Sequence, residues 1–478
     1  MNLTSNAKWN SFSQLFKIAV QLLNIIYLTK LVLPSEYGIL AIAMVFTNFG
    51  ILLRDLGTNA ALIQRKNLTN NLINTVFWLN VIMGISLAVI ICIISPLIAG
   101  FYHQPKLQNV LLFLSLVFPL SSFASAHLAL LERKSFFKKI AFIEILSSII
   151  SVTVAIYMAK RGFGVYSLVS QSVLLSLISC VLFWIVSDWR PSFRKIIHIN
   201  ELKEIFGFSV NLSSFNFVNY FSRNADSFLI GKFMSVVILG NYNLAYRIML
   251  FPLQSLTFVT SRSLLPVLSH YQDDNKKIQS TYLNCMVFIL SLSAPLMSGV
   301  AIYSHQIINL IFDSKWSLAA DILIWLAPTA IIQSILSTTG SILTAKNETN
   351  LMMRLGLFGA FLQVGSFLIG VHFSIIIFSF LYFLSNILNF IVTMNYTLKV
   401  VSLTWGQLIN KLLPVVISTL IMIFSLFFIN GLNFSIVTGF SLSSLIFISI
   451  IGAGLYFISL FFLSADFRMF ISKFKANP

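Results

Sequence analysis

Apolar stretches of about twenty residues, the length that crosses a bilayer, recur from one end of this chain to the other. In hydrocarbon every backbone N–H and C=O must be bonded internally, so only helices or a closed barrel are open to such a sequence. Barrel strands alternate in polarity over about ten residues, whereas these runs are apolar throughout. Helices are therefore expected. With 58% hydrophobic and 9% charged residues, and only short polar connections near 54–73, 188–204 and 262–280, no loop has room for a soluble domain. Splitting the runs at charged loops predicts an all-α polytopic membrane protein of about fourteen transmembrane helices.

The first run, residues 11–33, is apolar with an interruption. Asn10, Gln14, Lys17, Gln21 and Asn24 fall on one stripe of a helix, with apolar residues around the rest. A cation near the bilayer centre costs about 2.5–3.5 kcal/mol on insertion scales. The stripe is read as one wall of an aqueous cavity; interhelical hydrogen bonding is the alternative. Gln14, Lys17 and Gln21 also stand where a cleavable leader would be uniformly apolar, so this helix is expected to be retained.

The formal charge of +17 does not indicate a nucleic-acid partner, because the basic residues sit singly or in short groups between apolar runs. Only Lys30, Lys106, Lys160, Arg161, Lys232 and Lys315 fall in loops on the side opposite the termini, and Lys17, Arg223 and Arg247 fall inside spans. The remaining lysines and arginines share the side of the termini, which places both termini in the cytoplasm. Cys92, Cys180 and Cys285 lie in or beside different runs, without disulfide or metal spacing.

The chain also repeats. The seventh run, 205–230, carries Asn216, Asn219, Arg223 and Asp226 on one stripe, with the design of the first: apolar body, amides, a cation midway. An ungapped shift of 205 lays Phe12, Gln14, Phe16, Gln21 and Tyr37 on Phe217, Asn219, Phe221, Asp226 and Tyr242. Six spans separate the copies, so the halves have the same orientation. The expected organisation is an N-terminal lobe of spans 1–6 (1–188), a cytoplasmic linker (189–204), a C-terminal lobe of spans 7–12 (205–400), and two further spans with a cytoplasmic tail (401–478). The linker, basic with interspersed Trp189, Phe193 and Ile196, suits either the headgroup level or an ordinary positive-inside loop. The last two spans are phenylalanine-rich and uncharged between Lys411 and Asp466. They could face bulk lipid or form a groove for a long lipid tail.

Enzyme signatures are scarce. There is no phosphate-binding Gly-x-x-x-x-Gly-Lys-Ser/Thr loop and no Gly-x-Ser-x-Gly elbow, and no histidine pairs with a carboxylate or cysteine at metal spacing. Neither a catalytic site nor a metal or cofactor is expected. Cations outnumber anions inside the spans: Lys17, Arg223 and Arg247 against Asp226, with Arg54 and Asp55 at the end of the second. That excess points to an anionic ligand, and arginine's planar fork suits phosphate. Arg223 and Asp226, three apart, are expected to neutralise each other in part. Asp226 is thus a candidate for ion coupling or for a structural pair, as is Asp55.

At Leu33-Pro34-Ser35-Glu36-Tyr37-Gly38, Arg54-Asp55-Leu56-Gly57-Thr58-Asn59-Ala60-Ala61-Leu62-Ile63-Gln64-Arg65, Phe206-Gly207-Phe208 and Leu239-Gly240-Asn241-Tyr242-Asn243-Leu244-Ala245 the chain resembles the polysaccharide exporters of the multidrug/oligosaccharidyl-lipid/polysaccharide (MOP) flippase superfamily. It is most similar to the O-antigen and colanic-acid type. The resemblance implies two pseudo-symmetric six-helix lobes around a cationic cavity plus two C-terminal helices, a MATE-like fold in the bacterial inner membrane. It implies a carrier that moves undecaprenyl-pyrophosphate-linked oligosaccharide to the periplasmic leaflet by alternating access, driven by an ion or proton gradient; a monomer is expected, though the sequence itself does not reveal the oligomeric state. A polysaccharide polymerase and a chain-length regulator are implied partners. On that reading Lys17, Arg54, Arg223 and Arg247 hold the pyrophosphate, and Gln14, Gln21, Asn24 and Asn219 line the sugar path. A peptidoglycan-precursor flippase stays open. A multidrug cation antiporter would need an anionic interior, and a membrane polymerase or ligase a large outer loop.

Overall fold

The computed structural model describes residues 3–55, 62–63, 68–193, 196, 198, 220–250, 268, 274–431, 441–464 and 467–468. Side chains are described within these ranges at Phe16 and from Ile18 onward, except at 430 and 431. The described elements are helical. Eleven helices among the described residues are long and apolar enough to cross a membrane, and the chain is a multi-pass membrane protein.

The chain forms two compact units, Met1–Gly240 and Asn241–Pro478. In the first, α1 (Leu3–Leu31) stops just before Pro34, which disfavours helix in the residue ahead of it and opens α2 (Pro34–Asp55) with its ring in the first turn. The Thr69 side chain accepts from Leu72 N at 3.1 Å and starts α3 (Asn70–Phe101). The next apolar run is broken at Leu116 into α4 (Pro105–Ser115) and α5 (Val117–Arg133). The helices α6 (Phe137–Lys160) and α7 (Val165–Val186) follow, joined through Gly162 and Gly164, both at positive φ. Residues 220–233 form α8, and α9 (Val236–Leu250) crosses the unit boundary.

The second unit continues with α10 (Asn275–Ile302), α11 (Ser317–Leu336), the short α12 (Thr339–Ala345), α13 (Thr349–Gly370) and α14 (Ile375–Val400). It ends with α15 (Trp405–Gly431) and α16 (Leu442–Leu463), which pack on each other while α15 also packs on α10.

The internal repeat is visible in how each unit packs by itself. In the first, α3 packs on α5, α5 on α7 and α6 on α7; in the second, α10 packs on α11, α11 on α14 and α13 on α14. Positive φ recurs at corresponding turns too. His103 and Asp313, each ahead of the fourth span of its half, have positive φ, as do Ser135 and Asn347 at its far end, each directly after a lysine. L-residues reach that region only where the chain demands it, so the shared strain marks shared topology.

Each unit has its own buried core. In the first, Phe77 is ringed by Trp78, Phe123, His127, Trp184 and Trp189 at 5.3–6.2 Å between centroids. In the second, Phe367 stacks on Phe378 at 4.9 Å, and Gln333 Nε2 donates to Tyr382 Oη at 2.7 Å and Asn386 Oδ1 at 3.1 Å. Large apolar side chains such as Ile93, Leu97, Phe361 and Phe462 stand outward, 68–76% exposed. On a soluble protein that surface would be an aggregation site; on this one it suits lipid.

Candidate functional site

The segment that resembles an exporter motif, Leu33–Gly38, is a junction. Glu36 Oε1 accepts from Lys106 Nζ at 2.8 Å, at the start of α4, and its Oε2 accepts from Val165 N at 2.7 Å. Val165 opens α7, so a carboxylate meets an orphan N–H at the positive end of a helix dipole. Two residues on, α2 crosses α9. A Cβ added to Gly38 would lie 1.8 Å from the Val236 carbonyl oxygen, and one added to Gly240 would lie 1.9 Å from that of Pro34. Each helix thus sets a glycine against the other's backbone, one turn apart.

From that crossing α8 runs back along α2. Gly231 lies against Ile42, Tyr220 Oη donates to the Val45 carbonyl, and Phe49 packs on Tyr220 and Phe221. Arg54, at the end of α2, is 5% exposed. Its Nε donates to Asp55 Oδ1 at 3.0 Å, its Nη2 bonds the same oxygen, and its Nη1 donates to Ser121 Oγ on α5. The Asp55 charge offsets that of Arg54, and the cation also sits favourably at a helix C-terminus.

Arg223 is exposed on α8 and, among the described residues, makes no ion pair. The sequence expectation that Arg223 and Asp226 neutralise each other is therefore corrected. Three residues advance a helix by about 300°, leaving about 60° between the two side chains. Asp226 falls on the buried side, 3% exposed, where its Oδ1 accepts from Ser227 N at 2.6 Å, while Arg223 falls on the open side.

On α1 the stripe divides. Asn24 is buried and its Nδ2 donates to Gln171 Oε1 on α7 at 3.1 Å, an interhelical bond, whereas Gln21 is exposed. The side chains of Lys17 and Gln14, and all of Asn219, lie outside the described residues. Arg247 is half-buried on α9, in the second unit. The structure thus joins Arg54 to Asp55 and lays the helix bearing Arg223 along α2. Sequence reasoning missed the roles of Glu36, of the Gly38–Gly240 crossing, and of Arg133, whose Nη1 donates to the Leu62 and Ile63 carbonyls of the second motif. Glycine in the turn after Leu33-Pro34 was the available signal for the first two.

The chain is 29% identical over 354 residues to the teichuronic acid biosynthesis protein TuaB of Bacillus subtilis, covering 73% of this chain and 72% of that one. It is 24% identical to the lipopolysaccharide biosynthesis protein WzxC of Escherichia coli, covering 77% and 74%. In fold it is similar to the lipid II flippase MurJ in an inward closed conformation, with TM-score 0.71 at 16% identity over 97% of this chain and 99% of that one. An inward-facing multidrug resistance transporter of the MATE family, of the MOP superfamily, gives 0.63 at 15% identity, covering 81% and 94%. The profile described as polysaccharide biosynthesis protein matches residues 27–321, and by that match, which spans the Leu33–Gly38 junction, Arg54 and Arg223, this chain belongs to the polysaccharide biosynthesis protein family.

Proposed function

We propose that this protein is a flippase that carries an undecaprenyl-pyrophosphate-linked oligosaccharide from the cytoplasmic to the periplasmic leaflet of the bacterial inner membrane. The observation that carries the reading is Arg223: an exposed guanidinium without an ion pair among the described residues, on a helix that runs along α2. A cation at membrane depth is expensive unless it meets water or an anion, and a diphosphate accepts arginine's parallel hydrogen bonds. The names of the relatives support a polysaccharide cargo, and the fold shared with a lipid II flippase supports a lipid-linked one.

On this reading Arg223, Lys17 and Arg247 engage the diphosphate. Arg54 joins them when the cargo competes with Asp55 for its donors. Gln14, Gln21 and Asn219 line the sugar path, and Asn24 fastens α1 to α7. The lobes 1–188 and 205–400 rock about the linker 189–204, with 401–478 as an appendage and both termini cytoplasmic. Asp226, buried one turn from Arg223, is the candidate for ion coupling. The protein acts as a monomeric, non-enzymatic carrier, with a polysaccharide polymerase and a chain-length regulator downstream.

The test is in cells. Arg223→Ala should abolish surface polysaccharide while the protein stays in the membrane at normal abundance, and Arg223→Lys should retain part of the export. Wild-type export by Arg223→Ala would refute the site.

A further inference from the structure

A second site lies away from the carrier path, where α3 begins and α7 ends. After Val186, Ser192 and His198 are strapped to α3. Ser192 N donates to Asn74 Oδ1 at 2.8 Å, Trp78 Nε1 donates to the Ser192 carbonyl at 2.9 Å, and His198 N donates to Thr75 Oγ1 at 3.0 Å. Under the strap is a cavity of about 470 Å³ whose polar walls are Asn70, Asn71, Asn74, Arg190 and His198. Asn70 and Asn71 form the first turn of α3, whose N–H groups carry partial positive charge.

Arg190 is also a wall of a second cavity, about 380 Å³, which is otherwise apolar: Phe123, Cys180, Val181, Trp184 and Ile185. Val181 and Ile185 stand open on the outer face of α7, 49% and 69% exposed. Arg190 is held between the two. Its guanidinium lies 5.8 Å from the Trp184 ring, and Nη1 donates to the Ser187 and Trp189 carbonyls at 2.5 and 2.7 Å. Among the described residues Nε and Nη2 have no partner, so they can donate to an anion.

We propose that these two cavities, which share Arg190 as a wall, bind one anionic glycerophospholipid of the cytoplasmic leaflet. Its phosphate meets Arg190 and the α3 N-terminus, and an acyl chain lies along Phe123, Val181 and Ile185. A free phosphate would use the polar cavity and leave the apolar one idle; only a molecule with both chemistries uses both. The aromatic side chains Trp78, Trp184, Trp189 and Phe193 around the strap suit the headgroup level, where tryptophan rings settle. Under the proposed orientation this is the leaflet whose anionic lipids attract basic residues. The proposal is independent of what the carrier path transports.

The test is native mass spectrometry of the delipidated full-length protein titrated with long-chain phosphatidylglycerol, phosphatidylcholine or glycerol phosphate. One basic contact at the bilayer surface is worth about fivefold in affinity, so phosphatidylglycerol should be retained about fivefold over phosphatidylcholine. Arg190→Gln should erase that preference, and Val181→Trp, which fills the apolar cavity, should weaken retention of the long-chain lipid. If Arg190→Gln does not fold, Asn71→Asp, which sets a like charge at an exposed helix start, must lower the preference instead. Equal retention of the two lipids, or an unchanged preference in whichever of these two variants folds, overturns the proposal. Glycerol phosphate binding as tightly as phosphatidylglycerol also overturns it, in favour of a soluble anion.

Discussion

The crossing of α2 and α9 makes the sharpest stability prediction. A methyl at Gly38 or Gly240 would sit 1.8 or 1.9 Å from a carbonyl oxygen, where real Cβ contacts do not fall under 3.0 Å. The obstructing atoms are backbone atoms of packed helices and cannot rotate aside, so the crossing must widen by about an ångström. Overpacking of this kind takes the upper end of its usual range, about 3 kcal/mol. Alanine returns about 1 kcal/mol of helix propensity, which leaves each single variant about 2 kcal/mol less stable. The two clashes lie one turn apart on one crossing, so an opening made for the first also relieves the second. The double variant therefore loses about 1 kcal/mol, where independent sites would lose about 4. Thermal unfolding of the purified protein at fixed scan rate reads this: each single variant drops by a few degrees and the double variant drops less than either. Gly100→Ala, with nothing within 4 Å of its added methyl, is the control and should not fall. Additive losses, or single variants that behave like Gly100→Ala, would refute the reciprocal crossing.

Other perturbations separate neighbouring explanations. Glu36→Ala removes a carboxylate from the start of α7 and should cost about 1–2 kcal/mol, while Lys106→Met, whose ammonium side is 60% exposed, should cost under about 0.5 kcal/mol; paired melting curves would show the difference. Asn24→Leu should cost about 0.6–1 kcal/mol and be largely rescued by Gln171→Leu, with export restored in the double variant; a double variant that is stable yet inactive would return Asn24 to the sugar path. Thr69→Ala should cost about 1 kcal/mol through the lost cap of α3, seen as a lower melting temperature without a change in export.

The membrane-spanning helices were legible because hydrocarbon leaves the backbone no alternative, and their ends follow from local chemistry. The run read at 165–187 is α7, Val165–Val186, and that at 374–397 is α14, Ile375–Val400. The break at Leu116 is less visible: Pro119 falls in the first turn of α5, where its missing N–H leaves nothing unsatisfied, yet Pro96, Pro295, Pro328 and Pro414 lie inside unbroken helices. At the site, periodicity gives a face but not a partner. It set Asn24 on the stripe with Gln21, but not the bond to Gln171 on α7, 147 residues away. Spacing put Arg223 within reach of Asp226, but which of the two is buried follows from how α8 packs, with Gly231, Tyr220 and Phe221 set against Ile42, Val45 and Phe49 of α2. Glu36 reads as a loop carboxylate until the start of α7 is seen above it.

The carrier role is tested most directly by leaflet crossing in proteoliposomes. The purified protein is reconstituted with a fluorescently labelled polyprenyl-pyrophosphate oligosaccharide, and a membrane-impermeant quencher scores the label remaining outside. The wild-type protein should move the label between leaflets, and Arg223→Ala, incorporated at equal density, should leave it on the side where it was placed. A wild-type protein that moves no more label than empty vesicles, or an Arg223→Ala variant that moves it at the wild-type rate, would contradict an arginine-held diphosphate as the cargo's handle.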